Sequence, residues 1–435
     1  MRACLLRPGR RVKDFFRMWP RLARPRATFY PRGMLTFVDV EEARERIRDQ
    51  IYISPFPRSD TISAMTGNSV FFKLENLQLT GSFKERGALN RLLTLTPEEA
   101  RRGVIAASAG NHGMAVAYHS RRLNISATIV MPVTAPLIKV TRVRQYGAQS
   151  VLNGNDYDGA LAEALRLSDE RKLTFISAFN DPWIVAGQGT IAIELYEQNP
   201  DLDAVIVPVG GGGLIAGVAL ALKTLLPKIR IIGVQAEAVP SMQRALEHGA
   251  SIQVPAATTI ADGIAVRAVG ATPLELARRY VDEIVTVNER EIASAVLLLL
   301  EIEKTVAEGA AAVPLAALIN KKVALANKNI GLIVSGGNID MNLIARIIET
   351  GLIQDGRLGR FSVVISDRPG SLARLAQRVA GLGANILQIT HSRGFGEMAI
   401  GETEVELILE TAGKEHIQRI YETLLVDKFK IKNDP

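Results

Sequence analysis

The chain has 435 residues, 47% apolar and 22% charged, a globular balance with enough apolar residues for two or three domains. Its single cysteine, Cys4, excludes a disulfide framework and a cysteine-based metal site, and no apolar run approaches the ~18 residues of a bilayer-crossing helix. The formal net charge of +7 belongs to the N-terminus: residues 1–33 hold nine Arg, Lys13 and the lone acid Asp14, leaving 42 basic and 44 acidic residues beyond them, too even for a nucleic-acid footprint.

The segment 1–33 reads as a basic extension, disordered or not native. It has the Arg-rich, acid-poor character of a transit peptide, it could serve as an anion-binding arm, or it could be upstream sequence with Met34 the first native residue. The last is the reading we favour. From Val38 onward, short apolar runs alternate with helical patterns. Ser69–Leu74, 103–107, 126–131, Gln149–Leu152, 174–177, 204–209, 230–234, Glu283–Val287 and 330–334 read as buried strands. Pro97–Arg102, 113–123, 137–146, 160–171, 187–198 and 214–225 carry the 3.6-residue period of helices. This alternation predicts an α/β domain over 34–349 made of two α/β subdomains, with doubly wound, mostly parallel sheets whose ligands bind at loops following strands. Residues 350–360 read as a Gly- and charge-bearing connector. Beyond it come strand 361–366, helix 369–382, strands Asn385–Ser392 and 403–410, helix 414–425 and a short strand near 429–432. That order is βαββαβ, a ferredoxin-like domain over 361–435.

Four loops could carry chemistry. In Thr80-Gly81-Ser82-Phe83-Lys84, Lys84 opens a helix; Thr80 or Ser82 could be the N-cap, with the lysine in solvent. A lysine there also opposes the helix macrodipole, which eases its deprotonation, and a neutral amine forms Schiff bases. Ser108-Ala109-Gly110-Asn111-His112-Gly113 brings backbone N–H groups to a helix start, suited to a carboxylate; a tight turn with His112 packed locally is the plainer reading. His112 has no partner at metal-ligand spacing, so no metal is expected there. Gly210-Gly211-Gly212-Gly213-Leu214 follows a strand, and so many glycines suggest backbone approaching a phosphate. Gly211, Gly213 and Ala216 also satisfy a loose dinucleotide fingerprint, with Glu237 near the place of a ribose-binding acid. Ser335-Gly336-Gly337-Asn338 could be a turn, or could present the Ser335 hydroxyl at the mouth of the sheet. Together the loops offer an amine, a carboxylate cradle, a phosphate cradle and a hydroxyl. Pyridoxal 5′-phosphate, a phosphate-bearing aldehyde, uses all four. Residues 235–237, with Glu308 farther on, could also supply carboxylates to a cation.

The run from Lys73 to Ala88 (KLENLQLTGSFKERGA) resembles the cofactor-lysine segment of the threonine/serine dehydratases, fold-type II pyridoxal-phosphate enzymes that include the threonine ammonia-lyases. Residues 108–113, Met131-Pro132 with Ala135-Pro136 and Lys139, 210–214 and 335–338 are similar to that family's other segments in the same order, over residues 38–345. The resemblance implies that Lys84 carries the cofactor and serves as the base. Phe83, Asn111, Gly210, Gly211, Gly212, Gly213, Leu214 and Ser335 would hold it, with Asn111 on the phenolic oxygen and Ser335 facing the ring nitrogen. Ser108, Ala109, Gly110, Asn111 and His112 would clamp the substrate carboxylate. It also implies a cytoplasmic homodimer or homotetramer acting on L-threonine, and on L-serine as well. Serine racemase and 3-hydroxyaspartate dehydratase share these loops, and an inactive amino-acid sensor is the reading from another class. In the racemase pattern the second position of the 108–113 loop is a serine; here it is Ala109. The C-terminal Asp367-Arg368-Pro369-Gly370-Ser371-Leu372 and Gly383-Ala384-Asn385-Ile386 resemble the signature of an ACT domain. That implies feedback by a branched-chain amino-acid effector, isoleucine being the one favoured, near Gly370, Leu372, Asn385 and Ile386, or an assembly module without a ligand.

Overall fold

A computed structural model of the chain describes residues 34–392 and 399–432; the basic segment 1–33 lies outside the described residues. The part of the chain before residue 350 contains strands β1 (Arg58–Ser59), β2 (Ser69–Leu74), β3 (Val104–Ala107), β4 (Ala127–Met131), β5 (Gln149–Leu152), β6 (Thr174–Phe175), β7 (Ala204–Pro208), β8 (Arg230–Ala236), β9 (Glu283–Val287) and β10 (Asn329–Val334). They form two sheets. The larger has the order β1-β2-β10-β7-β8-β9 and the smaller β5-β4-β3-β6. Every pairing is parallel except β1 with β2.

Parallel strands need helical crossovers on both faces, so their side chains are buried on both faces. The two central strands of the smaller sheet, β3 and β4, demonstrate this directly, whereas its edge strands β5 and β6 stay partly exposed. Val104, Ala106, Ile129 and Met131 enter one apolar cluster, while Ile105, Ala107 and Val130 enter another on the opposite face. The chain leaves the larger sheet after β2, builds the smaller sheet, and returns at β7. The loops read as functional all follow strands or open helices at the ends where these crossovers begin.

Close helix packing draws the two halves of the lysine environment together. Helix Lys84–Leu93 crosses helix Pro182–Gln198 at a glycine contact, where a Cβ on Gly187 would lie 2.6 Å from the Gly87 Cα. The start of helix Pro182–Gln198, five residues ahead of the periodic pattern at 187, is set by the Asp181 cap, which accepts from Trp183 and Ile184 N–H, and by Pro182 in the first turn.

The C-terminal strands are β11 (Leu358–Ser366), β12 (Asn385–Ser392), β13 (Glu402–Glu410) and β14 (Lys430–Ile431), in the order β12-β13-β11-β14 and antiparallel throughout. One face is covered by helices Ser371–Gly381 and Lys414–Val426; Val405, Leu407 and Leu409 bury themselves beneath them. The other face carries cross-strand ion pairs, Glu402–Lys430 at 3.1 Å and Glu404–Lys432 at 2.9 Å. This is a ferredoxin-like βαββαβ layer with one solvated face. The 350–360 connector is not irregular. Helix Met341–Gln354 runs into it, and β11 begins at Leu358, leaving only the turn at 355–357. Arg357 there pairs with Glu301 at 2.7 Å, and Thr411 Oγ1 donates to the Gly356 carbonyl at 2.5 Å.

Candidate active site

The lysine loop is fixed by backbone pairing with the 335–338 loop. Phe83 N–H donates to the Ser335 carbonyl at 3.0 Å, and Gly337 N–H donates to the Gly81 carbonyl at 2.9 Å. Ser82 and Gly336 form an antiparallel bridge between them. Gly81 sits at φ +78°, and a Cβ there would lie 2.9 Å from the Asn338 amide nitrogen, so the turn takes glycine on two counts. Phe83, without a side-chain cap, precedes the helix that Lys84 opens; neither Thr80 nor Ser82 is its N-cap.

Lys84 is half-buried rather than solvated. Its Nζ donates to the Ala178 carbonyl at 3.1 Å and lies 5.0 Å from the centre of the Phe83 ring. Burial pulls the amine down from 10.5 to about 8, against the opposing pull of the Glu308 carboxylate. Desolvation, not the macrodipole invoked from the sequence, is the leading cause.

Ala178 adjoins Phe179, which connects the lysine to the glycine turn. A Cβ on Gly211 would fall 2.3 Å from the Phe179 ring, one on Gly213 would lie 3.0 Å from the Phe179 backbone, and one on Gly212 2.6 Å from Met242 Cε. Gly212 also sits at φ +95°. The glycines are therefore required by protein packing, whereas the sequence pattern suggested room for a ligand. What remains for a ligand is the helix start. Helix Gly213–Leu225 makes its first backward bond from Ala216 N–H to the Gly212 carbonyl, so the preceding N–H groups point out of its end.

Helix Asn111–Arg122 presents a second such end, with Met114 N–H the first donor turned back, to the Gly110 carbonyl at 3.2 Å. Gly110 has open space on its Cβ side, and its own N–H donates to Ser108 Oγ at 3.1 Å. The His112 ring is turned away from this cradle: its Nε2 donates to the Ile176 carbonyl at 3.0 Å. Burial, with the nearby Lys84 charge, drives its pKa to about 3, so the imidazole is neutral. His112 can therefore offer a ligand its backbone N–H rather than a positive ring.

Two sets of residues were not legible in the sequence as parts of this site. The first is the carboxylate of Glu308, which accepts from Asn111 Nδ2 at 2.8 Å. Asn111 Oδ1 in turn accepts from Asn338 Nδ2 at 2.8 Å, and the same nitrogen donates to the Thr80 carbonyl at 2.7 Å. Burial and the Asp262 carboxylate raise Glu308 from 4.5 to about 7. It serves this cleft, and among the described residues no group of three or more His, Cys, Asp or Glu could hold a metal ion. The second set is a buried charge cluster under the lysine helix. Arg86 donates to both oxygens of Glu75 at 2.8 Å and to Glu194 at 2.7 Å, while Lys73 Nζ donates to Glu194 at 2.6 Å. The alternation of charge in Lys73, Glu75 and Arg86 was the available signal, but Glu194 lies on another helix.

The effector residues expected at the C-terminal layer are close to solvent. Gly370, at φ +90°, precedes helix Ser371–Gly381, and Asn385 donates to Glu410 at 3.2 Å. Leu372 and Ile386 lie at the edge of the apolar core.

These residues fit pyridoxal phosphate: a lysine amine that is partly neutral near physiological pH, helix ends with outward N–H groups, and an uncovered cradle at Gly110. Comparison with known proteins agrees. The profile of the pyridoxal-phosphate-dependent enzymes matches residues 47–336. An L-threonine ammonia-lyase of Thermotoga maritima is 46% identical over 399 residues, 92% of this chain and 99% of that protein. Among solved structures, threonine deaminase isoform 2 of Solanum lycopersicum has a TM-score of 0.69 at 38% identity, covering 72% of this chain and 91% of its own. Maize serine racemase has the same TM-score of 0.69 at 34% identity, covering 74% and 99%. Among the described residues no helix is long and apolar enough to cross a membrane.

Proposed function

The chain belongs to the pyridoxal-phosphate-dependent enzymes and, within them, to the threonine ammonia-lyases; from that membership we propose that it converts L-threonine to 2-oxobutanoate and ammonium, with L-serine as a second substrate. The observation that carries the reading is the Lys84 amine, held at the Ala178 carbonyl beside the glycine turn and lowered by burial to about 8. When bound, the cofactor supplies an electron-poor ring that stabilises negative charge developing at the substrate α-carbon.

Lys84, Phe83, Asn111, the 210–213 turn with Leu214, and Ser335 would hold that group. The Lys84 amine, neutral above about pH 8, takes the α-proton. Backbone N–H groups of residues 108–112 bind the substrate carboxylate, and outward N–H groups at the glycine turn bind the phosphate. The Ser335 hydroxyl offers the ring nitrogen a neutral hydrogen bond. A carboxylate in its place would hold the ring nitrogen in its protonated form and favour transamination; the weaker withdrawal favours loss of the β-hydroxyl. The water lost in elimination is returned by hydrolysis, so the net products are the 2-oxoacid and ammonium.

Serine racemase is the rival with a specific likeness in its favour. Racemisation needs an exchangeable proton on the second face of the substrate, and Ala109 has none. For the C-terminal layer we propose an ACT domain that takes isoleucine near Gly370, Leu372, Asn385 and Ile386 and feeds back on the reaction. A cytoplasmic homodimer or homotetramer completes the proposal.

The test is 2-oxoacid release from threonine, serine and 3-hydroxyaspartate, with and without isoleucine. We expect the highest kcat/KM with threonine and inhibition by isoleucine. D-serine formed from L-serine as fast as elimination would favour the racemase, highest kcat/KM with 3-hydroxyaspartate would move the substrate assignment, and no 2-oxoacid would leave an inactive sensor. Isoleucine without effect on rate and without binding heat would reduce the C-terminal layer to assembly.

A further inference from the structure

Glu308 precedes helix Gly309–Ile319, yet its side chain makes no capping bond to that helix. The residue is 5% exposed, and its carboxylate instead accepts from Asn111 Nδ2 at 2.8 Å. The surroundings are shaped for this bond. A Cβ on Gly336 would lie 2.6 Å from Glu308 Oε1 and 3.1 Å from Asn111 Nδ2, and one on Gly263 would lie 3.3 Å from the same carboxylate oxygen. Glu308 N–H donates to the Gly336 carbonyl at 3.0 Å, which ties the residue to the loop paired with the lysine turn.

The hydrogen-bond inventory then has one solution. Asn338 Nδ2 faces the Thr80 carbonyl, which only accepts, and spends its other N–H on Asn111 Oδ1. Arg142 donates to Asn338 Oδ1 at 3.2 Å, which agrees with that orientation. Asn111 must then present its nitrogen to Glu308, and an ionised carboxylate can only accept. One N–H of Asn111 Nδ2 is left over.

We propose that Glu308 is a positioning residue: its carboxylate fixes the Asn111 amide as a donor, so that the remaining Asn111 N–H is available to the cofactor's phenolic oxygen. The inference rests on the reading of Lys84 as the cofactor lysine. It explains why a carboxylate is kept in a place where burial disfavours its charge. The charged groups that face it are Asp262, which disfavours its ionisation, and Lys139 and Lys84, which favour it, along with the Asn111 bond. Below about pH 7 the carboxyl gains a proton, becomes a donor as well, and no longer fixes the amide. Its negative charge also holds the Lys84 amine higher than burial alone would.

The experiment loads apoprotein with pyridoxal phosphate and follows the absorbance band near the visible edge that borohydride removes, as a function of pH. Glu308→Ala removes the acceptor, and Gly336→Ala displaces the carboxylate while leaving it chemically intact. Each should weaken cofactor retention ~10-fold, the scale of one oriented hydrogen bond. Glu308→Gln, which like the protonated acid can donate as well as accept, should give retention between wild type and Glu308→Ala at neutral pH and no further loss as the pH falls through about 7, with the loading midpoint moved down by about half a unit or more as the charge facing Lys84 is lost. Asn111→Ala should weaken retention to the same degree, and adding Glu308→Ala should cost less than ~2-fold more, since the two act as one unit. Losses that multiply in the double variant, or wild-type retention in Glu308→Ala, would overturn the inference. A wild-type protein with no reducible band would remove the lysine reading as well, whereas a normal wild-type band with indifferent variants removes only the role of Glu308.

Discussion

Lys73 and Lys84 are close in sequence and both withdrawn from water, but their surroundings differ. Lys73 joins Arg86, Glu75 and Glu194 in a cluster in which each side chain is at most 8% exposed. Burial alone would push the Arg86 guanidinium down, but Glu75 and Glu194 override it and raise it above the usual arginine range. Burial likewise pushes Glu194 up, and Arg86 with Lys73 outweighs it and holds the carboxyl below its ordinary value. Lys73 itself is lowered by burial, with the same carboxylates pulling the other way. Around Lys84 the compensation is outweighed by burial for both the amine and its neighbouring carboxylate. The amine falls to about 8 and the neighbouring Glu308 rises to about 7. Buried charge that is fully paired is scaffold; buried charge left under-compensated is placed for proton chemistry.

The contrast can be broken by exchanging consequences between the two clusters. Lys84→Ala should lower threonine turnover by at least ~10³-fold, the upper range for a positioned base, without lowering unfolding stability. A comparable loss of stability would place Lys84 with the scaffold. Arg86→Leu should do the reverse first: removing the partner of two buried carboxylates costs about 3–5 kcal/mol, read as a lower denaturation midpoint. An Arg86 variant of unchanged stability would show the cluster to be dispensable. Gly212→Ala tests the packing account of the glycine turn. At φ +95° and against Met242 and Pro273 it should lose about 1–3 kcal/mol of stability. Smallest in its effect on elimination is Ala109→Ser, expected to leave it within ~3-fold while D-serine formation from L-serine becomes measurable. No racemisation in that variant would mean that the second face is closed by something other than the missing hydroxyl.

The sequence carried the local parts of this picture. Strands Ser69–Leu74, Gln149–Leu152 and Glu283–Val287 stand where the apolar and β-branched runs placed them, but Gln149–Leu152 and Glu283–Val287 lie at sheet edges and are only partly buried, where the sequence reading expected buried strands. Lys84 was identifiable because its flanking turn is spelled out in adjacent residues. Long-range partners were not. That Phe179 covers Gly211, that Glu194 closes the cluster on Arg86, and that Glu308 reaches Asn111 all depend on how distant elements cross. The 350–360 segment misled because Gly351 and Gly356 read as a linker. Only Gly356, at φ +69°, marks the turn, while Gly351 lies inside helix Met341–Gln354.

Borohydride reduction of the cofactor-loaded protein, followed by peptide mass mapping, bears most directly on the lysine. The account predicts the pyridoxyl mass on the peptide carrying Lys84, with midpoint loading near pH 8. A label on Lys73 or any other lysine, or no label at all, would contradict it.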